Sequence, residues 1–523
     1  MQGVSGEFVS MKQVRLLLGL LLGATVAWGQ GGFTNFETAQ VHPVDISPNR
    51  TILAVCNTAD ARIELFNVST GNALHIGTVP VGYDPVTVRF RNDDELWAVN
   101  HISDSISVID IPTQRVLKTI ATGDEPCDVV FAGNPEFAFV SCSQVNLVQR
   151  FDPANTASAP VTIPILGEDP RALAVSPDKL TVYAAIFESG NRSTIIGGGA
   201  DGTLGNFFPP NDAMEDPDGP YGGVNPPPND PDDENTDGNP WIPAKANNGT
   251  PPPVGLIVKQ DSEGVWRDDN GEDWTPWITG NKAALSGRYP GWELIDNDVA
   301  VINTATLGVT YIEHLMNLCM AIAVHPVSGE ITVVGTDATN EVRFEPNVNG
   351  KFLRVQLARV ANLGADPILK DLNAEHLALA QGGDPYVDGQ VPVAERNKSI
   401  GDPRGILWND SGTVGFITGM GSNNLVAINA SGDRKSVGAT TTLREGPTGM
   451  ALDDQRKRLY VLNRFHGSVS VVNANTLTEI ANVPFFDPTP QAIKTGRKHL
   501  YDTHRNSGSG VVACGSCHID ARW

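Results

Sequence analysis

The chain has 523 residues, enough for one large β domain plus a smaller module, and its 40% hydrophobic and 7% aromatic content excludes wholesale disorder. Sixty acidic residues against 37 basic ones give a formal charge of −23, which phosphate backbones and anionic lipid would repel, so nucleic acid is not an expected partner. Fifty-three glycines and 37 prolines supply the turns that many short strands require.

The first segment reads as a targeting signal. After Met11, Lys12 and Arg15 form a basic region, Leu16 to Trp28 an apolar one, and Ala27-Trp28-Gly29 offers small residues at −3 and −1. At 13 residues the apolar stretch is too short to span a bilayer, and no later segment is long and apolar enough. The expectation is a signal peptide over 1–29 with translation starting at Met11. The mature chain would begin at Gln30 and be periplasmic, secreted or displayed at a bacterial cell surface.

From His42-Pro43 onward the sequence repeats. Gly82-Tyr83-Asp84-Pro85, Gly123-Asp124-Glu125-Pro126, Gly167-Glu168-Asp169-Pro170, Gly401-Asp402-Pro403 and Gly446-Pro447 recur at intervals of 41 to 44 residues wherever the series is continuous. Each proline opens an apolar run. A polar turn follows, then a second run such as Leu96-Trp97-Ala98-Val99, and then an alternating strand such as Ser105-Ile106-Ser107-Val108-Ile109-Asp110. A closing strand such as Val116-Leu117-Lys118-Thr119-Ile120 completes the unit. Four short strands per roughly 40 residues is the period of a propeller blade. A lone four-stranded sheet cannot bury both apolar faces, whereas sheets packed radially bury each face against a neighbour. The predicted fold class is therefore all-β: a seven-bladed β-propeller over 30–487. Its units start near His42, Asp84, Glu125, Asp169, Cys319, Asp402 and Pro447. The fourth unit is interrupted and resumes at Asp298 to Asn303, and Phe33 to Gln40 is expected to add a strand to the last blade.

Insertions are placed at about 193–295 and 361–400. Residues 193–244 contain ten acids and no Lys or Arg, the composition of an extended acidic loop. Within it, Asp233-Glu234-Asn235-Thr236-Asp237-Gly238 matches the opening of a calcium loop. Position twelve is Ala244 rather than the bidentate Glu, so a calcium site stands beside a solvated acidic loop as the two readings. The second insertion carries a predicted helix near Ile368 to Ala380. On Leu459-Tyr460-Val461-Leu462-Asn463 and Ser468-Val469-Ser470-Val471-Val472-Asn473, the repeats resemble the YVTN-type β-propellers of exported bacterial proteins over roughly 42–190 and 296–487. That resemblance implies a scaffold and leaves the activity open.

Residues 488–523 are expected to begin an α-helical cytochrome c-like segment. Cys514-Gly515-Ser516-Cys517-His518 is the C-x-x-C-H pattern of c-type haem attachment. Two thiols three positions apart can add to the two vinyl groups of one porphyrin, and the adjacent histidine can reach the iron as axial ligand. Gly496-Arg497-Lys498-His499-Leu500-Tyr501-Asp502, then Ser507-Gly508 and Cys514, resembles the first haem segment of bacterial di-haem cytochrome c peroxidases and their methylamine-utilisation relatives. Tyr501 replaces the usual Phe, and the leucine falls one position late. The resemblance implies Cys514 and Cys517 as thioether sites and His518 as axial and metal ligand. It also implies further helices and a second ligand; the expectation is that these lie beyond Trp523 in a longer chain, the alternative being a haem covered by a propeller face or by a partner. Two rival readings use the same cysteines: a Cys₂His₂ zinc site with His499 and His504, and a redox-active dithiol.

Four cysteines read as structural. Cys127 and Cys142 lie symmetrically about Gly133-Asn134-Pro135-Glu136, so they face each other across a hairpin as a disulfide or as two buried thiols. Cys56 and Cys319 read as small core residues. Asp84, Glu125, Asp169 and Asp402 each precede a blade-opening proline, with Arg171 and Arg404 just beyond two of them. They should gather at one mouth of the channel, either as a ligand or partner surface or as caps of their own turns. Taken together, the sequence predicts an exported c-type haem protein in electron transfer, of the di-haem peroxidase kind if it is an enzyme. Its partner would be a redox protein or a small-molecule substrate. The alternative is a cell-surface propeller that serves only as a binding scaffold.

Overall fold

The computed structural model describes residues 36–196, 213, 215–223, 256–268, 270–286, 293–342, 351–383, 391–436 and 440–521. The leader segment and the calcium-like sequence 233–244 lie outside these residues.

The repeats fold as antiparallel sheets. In the second unit, Pro85–Phe90, Glu95–Asn100, Ser105–Asp110 and Arg115–Ala121 pair in sequence order. The predicted apolar runs are the inner three strands, and the polar Arg115–Ala121 is the more exposed outer edge. The same order holds for Val44–Ile46 through Leu74–Pro80, Pro126–Ala132 through Val161–Pro164, Pro403–Trp408 through Thr441–Thr442, and Pro447–Asp453 through Thr478–Pro484. In the interrupted fourth unit, Glu168–Val175 and Thr181–Glu188 are joined by Val299–Asn303 and Val309–Ile312, with Thr181 opposite Asn303. The fifth unit, Leu318–Val324 through Ile368–Asp371, is hydrogen-bonded to the fourth at Glu188 and Leu318.

First strands touch in the order Val44–Ile46, Pro85–Phe90, Pro126–Ala132, Glu168–Val175, Leu318–Val324, Pro403–Trp408, Pro447–Asp453, and the last touches the first. An apolar layer lies in each seam. Leu65 and Ile63 pack with Val88 and Leu96, Val99 and Val108 with Ala138 and Val140, and Tyr460 and Val471 with Leu53 and Phe66. The molecule is a β-propeller.

Three features differ from the sequence expectation. Phe36–Gln40 forms no strand; the Gln40 side chain instead donates to Thr58 Oγ1 and accepts from Thr448 Oγ1 at 2.7 Å each, linking the last sheet to the first. The predicted helix at Ile368 is a strand over Ile368–Asp371, because its backbone completes the fifth sheet, and the helix is confined to Ala374–Ala380. The first insertion is not merely a loop. Ser193–Ile196, Leu256–Gln260 and Trp266–Arg267 form a three-stranded sheet over a core containing Trp266, Trp274, Trp277 and Ile278.

Of the two readings for Cys127 and Cys142 the buried thiols hold and the disulfide does not: all six cysteines are free, and these two lie on different faces rather than opposite each other. Pairing keeps the symmetry about the turn from Phe137 opposite Ala132 to Ser141 opposite Asp128. A bulge then sets Cys142 opposite Pro126. The extra residue turns Cys127 away from its expected partner. Cys142 packs with Trp97 and Val99, whereas Cys127 joins Ala172 and Cys319.

Candidate functional site

A bulge of the same kind follows Pro85, Pro170, Pro403 and Pro447. The residue before Pro85, Pro126, Pro170 and Pro403 takes a left-handed backbone: Asp84 (φ 52°), Glu125 (52°), Asp169 (64°) and Asp402 (49°). Aspartate tolerates that region, and the turn carbonyls hold the next strand. His101 N–H donates to Asp84 O, and Met420 N–H to Asp402 O, both at 2.9 Å. The acids are therefore turn formers first.

Two of them also serve a shared site. Arg171 and Arg404 stand in bulge positions of the fourth and sixth sheets and converge on Asp520, two residues beyond His518. Asp520 Oδ2 accepts from Arg171 Nη1 at 2.8 Å, and its Oδ1 lies 3.2 Å from Arg404 Nη2. Asp169 grips Arg171 with both carboxylate oxygens, and Asp402 accepts from Arg404 Nε at 2.6 Å. The Arg171 guanidinium also lies 3.6 Å from the centre of the Phe187 ring. All five charged groups are buried. Burial opposes ionisation of Asp520, but Arg404 and Arg171 outweigh it and hold the carboxyl down at about 2. Behind the clamp, a cavity of about 240 Å³ is lined by Arg171 and Asp520 with His101, Glu125 and Cys127. Asp84 lies to one side, accepting from Thr38 Oγ1 at 2.6 Å.

Asp520 belongs to a segment that packs along this mouth. The helix Gln491–Leu500 places Arg497 Nε 2.9 Å from Glu37 Oε1. Tyr501 stacks on Phe465 of the last sheet, with ring centres 4.9 Å apart. Thr503 N–H donates to Gly421 O, Ser399 Oγ to Ser509 O, and Val511 enters the core of the fifth and sixth sheets. Asp502 caps the short helix Thr503–Asn506 by accepting from Arg505 N–H.

The segment presents the cysteine motif as one helical turn, Cys514–Cys517, which His518 ends. Positions three apart share a face of such a turn. Both thiols are free, and Cys514, Cys517 and His518 are all exposed at the surface. Gly515 is required at this place, because a Cβ there would come within 2.7 Å of the Tyr501 ring. The turn is thus seated on Tyr501, which is itself seated on Phe465. Partial loss of hydration on the side facing the protein, with Cys514 adding, pushes the Cys517 thiol up from its ordinary value. A redox-active dithiol needs the opposite shift. Of the zinc reading's ligands, His504 has its Nε2 engaged with Ser399 O at 2.9 Å. Among the described residues, no group of three or more His, Cys, Asp or Glu is placed to hold a metal ion.

Beside Cys517 lies a pocket of about 660 Å³, within the ordinary range for ligand sites of about 300–1,000 Å³. Its apolar wall includes Phe187 and Leu318 from the propeller and Ile195 and Ile257 from the inserted sheet. Lys259 Nζ, 2.6 Å from Asp337 Oδ2, ties that sheet to the fifth unit. Nothing in the sequence pairs Arg171 with Asp520 or Ile195 with Cys517, since each pair spans hundreds of positions. The only signal was the repeated arginine after two blade prolines.

No family model matches the chain, and no curated protein sequence matches it. Among solved structures, hydrazine synthase of Kuenenia stuttgartiensis is similar at TM-score 0.53 and 15% identity, over 85% of this chain and 99% of that one. Dihydro-heme d1 dehydrogenase NirN aligns at TM-score 0.41 and 9% identity, over 86% and 68% of the two chains. Apo AztD from Citrobacter koseri aligns at TM-score 0.40 and 8% identity, over 83% of this chain and 94% of that one. The first likeness concerns the fold alone, and the other two are too distant to carry an argument. Among the described residues, no helix is long and apolar enough to cross a membrane.

Proposed function

We propose that this chain is an exported c-type haem protein acting in electron transfer, built on a seven-bladed propeller of the YVTN type. The observation that carries the reading is the Cys514–Cys517 turn, with two free exposed thiols on one face and His518 directly after them. These residues fit the group: Cys514 and Cys517 would hold the porphyrin by thioethers, and His518 would bind the iron. When bound, a haem of this kind supplies a one-electron couple tuned by its axial ligand and surroundings. The chain's own part is to fix the turn rigidly against Tyr501 and to anchor its far side through Asp520.

Seven blades are supported by the closed order of first strands, and the YVTN likeness by a repeated polar latch. Asn100 Nδ2 donates to Ser105 and Ser107, and Asn463 Nδ2 to Ser468 and Ser470, in the same places of two sheets. Peroxidase chemistry, a redox partner and export are readings from the sequence resemblance and the leader. The test is a pyridine haemochrome spectrum and intact mass of protein made with haem-attachment machinery. A c-type α-band and a mass increase of one haem are expected, and both should vanish in Cys514→Ala/Cys517→Ala. Colourless wild-type protein of apo mass overturns the reading.

A further inference from the structure

A haem held at the cysteine turn needs apolar surface against its macrocycle. The residues leading up to the turn, Tyr501, Thr503, Val511 and Ala513, are buried against the propeller and cannot also wrap a macrocycle. An uncovered macrocycle would be a large exposed apolar patch. Yet Cys517 stands on the rim of a pocket whose far wall is apolar and comes from elsewhere in the chain. We infer that the propeller and its inserted sheet supply the haem cover themselves. The apolar edge of the porphyrin would lie in the pocket between Phe187 and Leu318 on one side and Ile195 and Ile257 on the other. This inference rests on the proposed haem attachment.

Three observations support it. Ile195 is 61% exposed on a strand, an apolar side chain turned into a concavity with no covering layer among the described residues. The inserted sheet is not a loose appendage, because Lys259 and Asn191 both bond Asp337 of the fifth unit. Finally, the clamp on Asp520 fixes the backbone three residues past Cys517, so the motif and the wall are held in one frame. A flat, largely apolar tetrapyrrole suits such a slot, whereas a small polar ligand would leave these side chains wet.

The experiment uses the full-length chain carrying Cys514→Ala and Cys517→Ala, so that only non-covalent forces hold added haemin, followed by its Soret absorbance. Saturable one-to-one binding is expected. Ile195→Lys should weaken it roughly tenfold by setting a charge in the slot. Val327→Lys, at a comparably exposed valine that does not line the pocket, should leave it unchanged. Absence of saturable binding, or equal affinity in the Ile195 and Val327 variants, overturns the inference. The outcome is separable from haem attachment: colourless wild-type protein from haem-attaching cells would refute the thioether reading, while Ile195-sensitive haemin binding would still identify the pocket.

Discussion

Asp520 shows how one carboxylate can organise a site. Its folded value lies below the roughly 3.9 of an unfolded aspartate, so its stabilising contribution is complete above about pH 4 and is lost as pH falls towards about 2. Asp520→Asn leaves two buried guanidinium groups short of a counter-charge. The expected cost is about 3–5 kcal/mol of docking free energy, read as release of the terminal segment to protease at lower urea. Asp298 behaves in the opposite sense. Burial pushes it up to about 7, and the charge of Asp296 adds to this, against hydrogen bonds from Leu315 and Met316. A raised carboxyl binds more protons when folded, so stability falls as pH rises from about 4 to about 7. Asp298→Asn should flatten that slope in denaturation midpoints measured across the range. At the same scale, Cys127 and Cys142 mark the limit of reading by symmetry. Their hairpin turn was legible, but a bulge of one residue reverses a side chain without disturbing the pattern of apolar letters. Denatured apo-protein should therefore titrate six thiols, and haem-loaded protein four.

Elements were legible where they repeat. The proline-opened strands, their turns and the resumption at Asp298 all follow from apolar runs of fixed spacing, and the fold class was open to view on that basis. The inserted sheet was not, because its strands are separated by a long acidic stretch and its tryptophan core has no period. The cysteine motif was equally plain, but its seat was hidden: Tyr501 reads as a substituted phenylalanine until Gly515 and Phe465 are seen against its two faces. Close approach governs the docking of this segment elsewhere as well. A Cβ on Gly401 would lie 2.6 Å from Thr503 Oγ1, so Gly401→Ala should loosen the segment by about 1–3 kcal/mol. Limited proteolysis of the variant should cut between the last sheet and Cys514 sooner than in the wild type, with the far-ultraviolet spectrum of the sheets unchanged.

On the scale of the whole molecule, a charge of −23 would favour a basic partner for the proposed electron transfer. Its association rate should fall steeply with added salt; a rate indifferent to ionic strength would indicate an uncharged reductant or substrate. The ring itself is not uniform. The fourth and fifth sheets share a backbone ladder through Glu188 and Leu318, whereas first and last meet through side chains such as Gln40, Thr448 and Asn57, together with packed apolar groups. Local opening follows the weakest junction. In deuterated solvent, amides flanking the first-to-last closure should therefore exchange earliest among the inner strands, and those astride Leu318 last, so the torus breathes like a clasped bracelet with one soldered link.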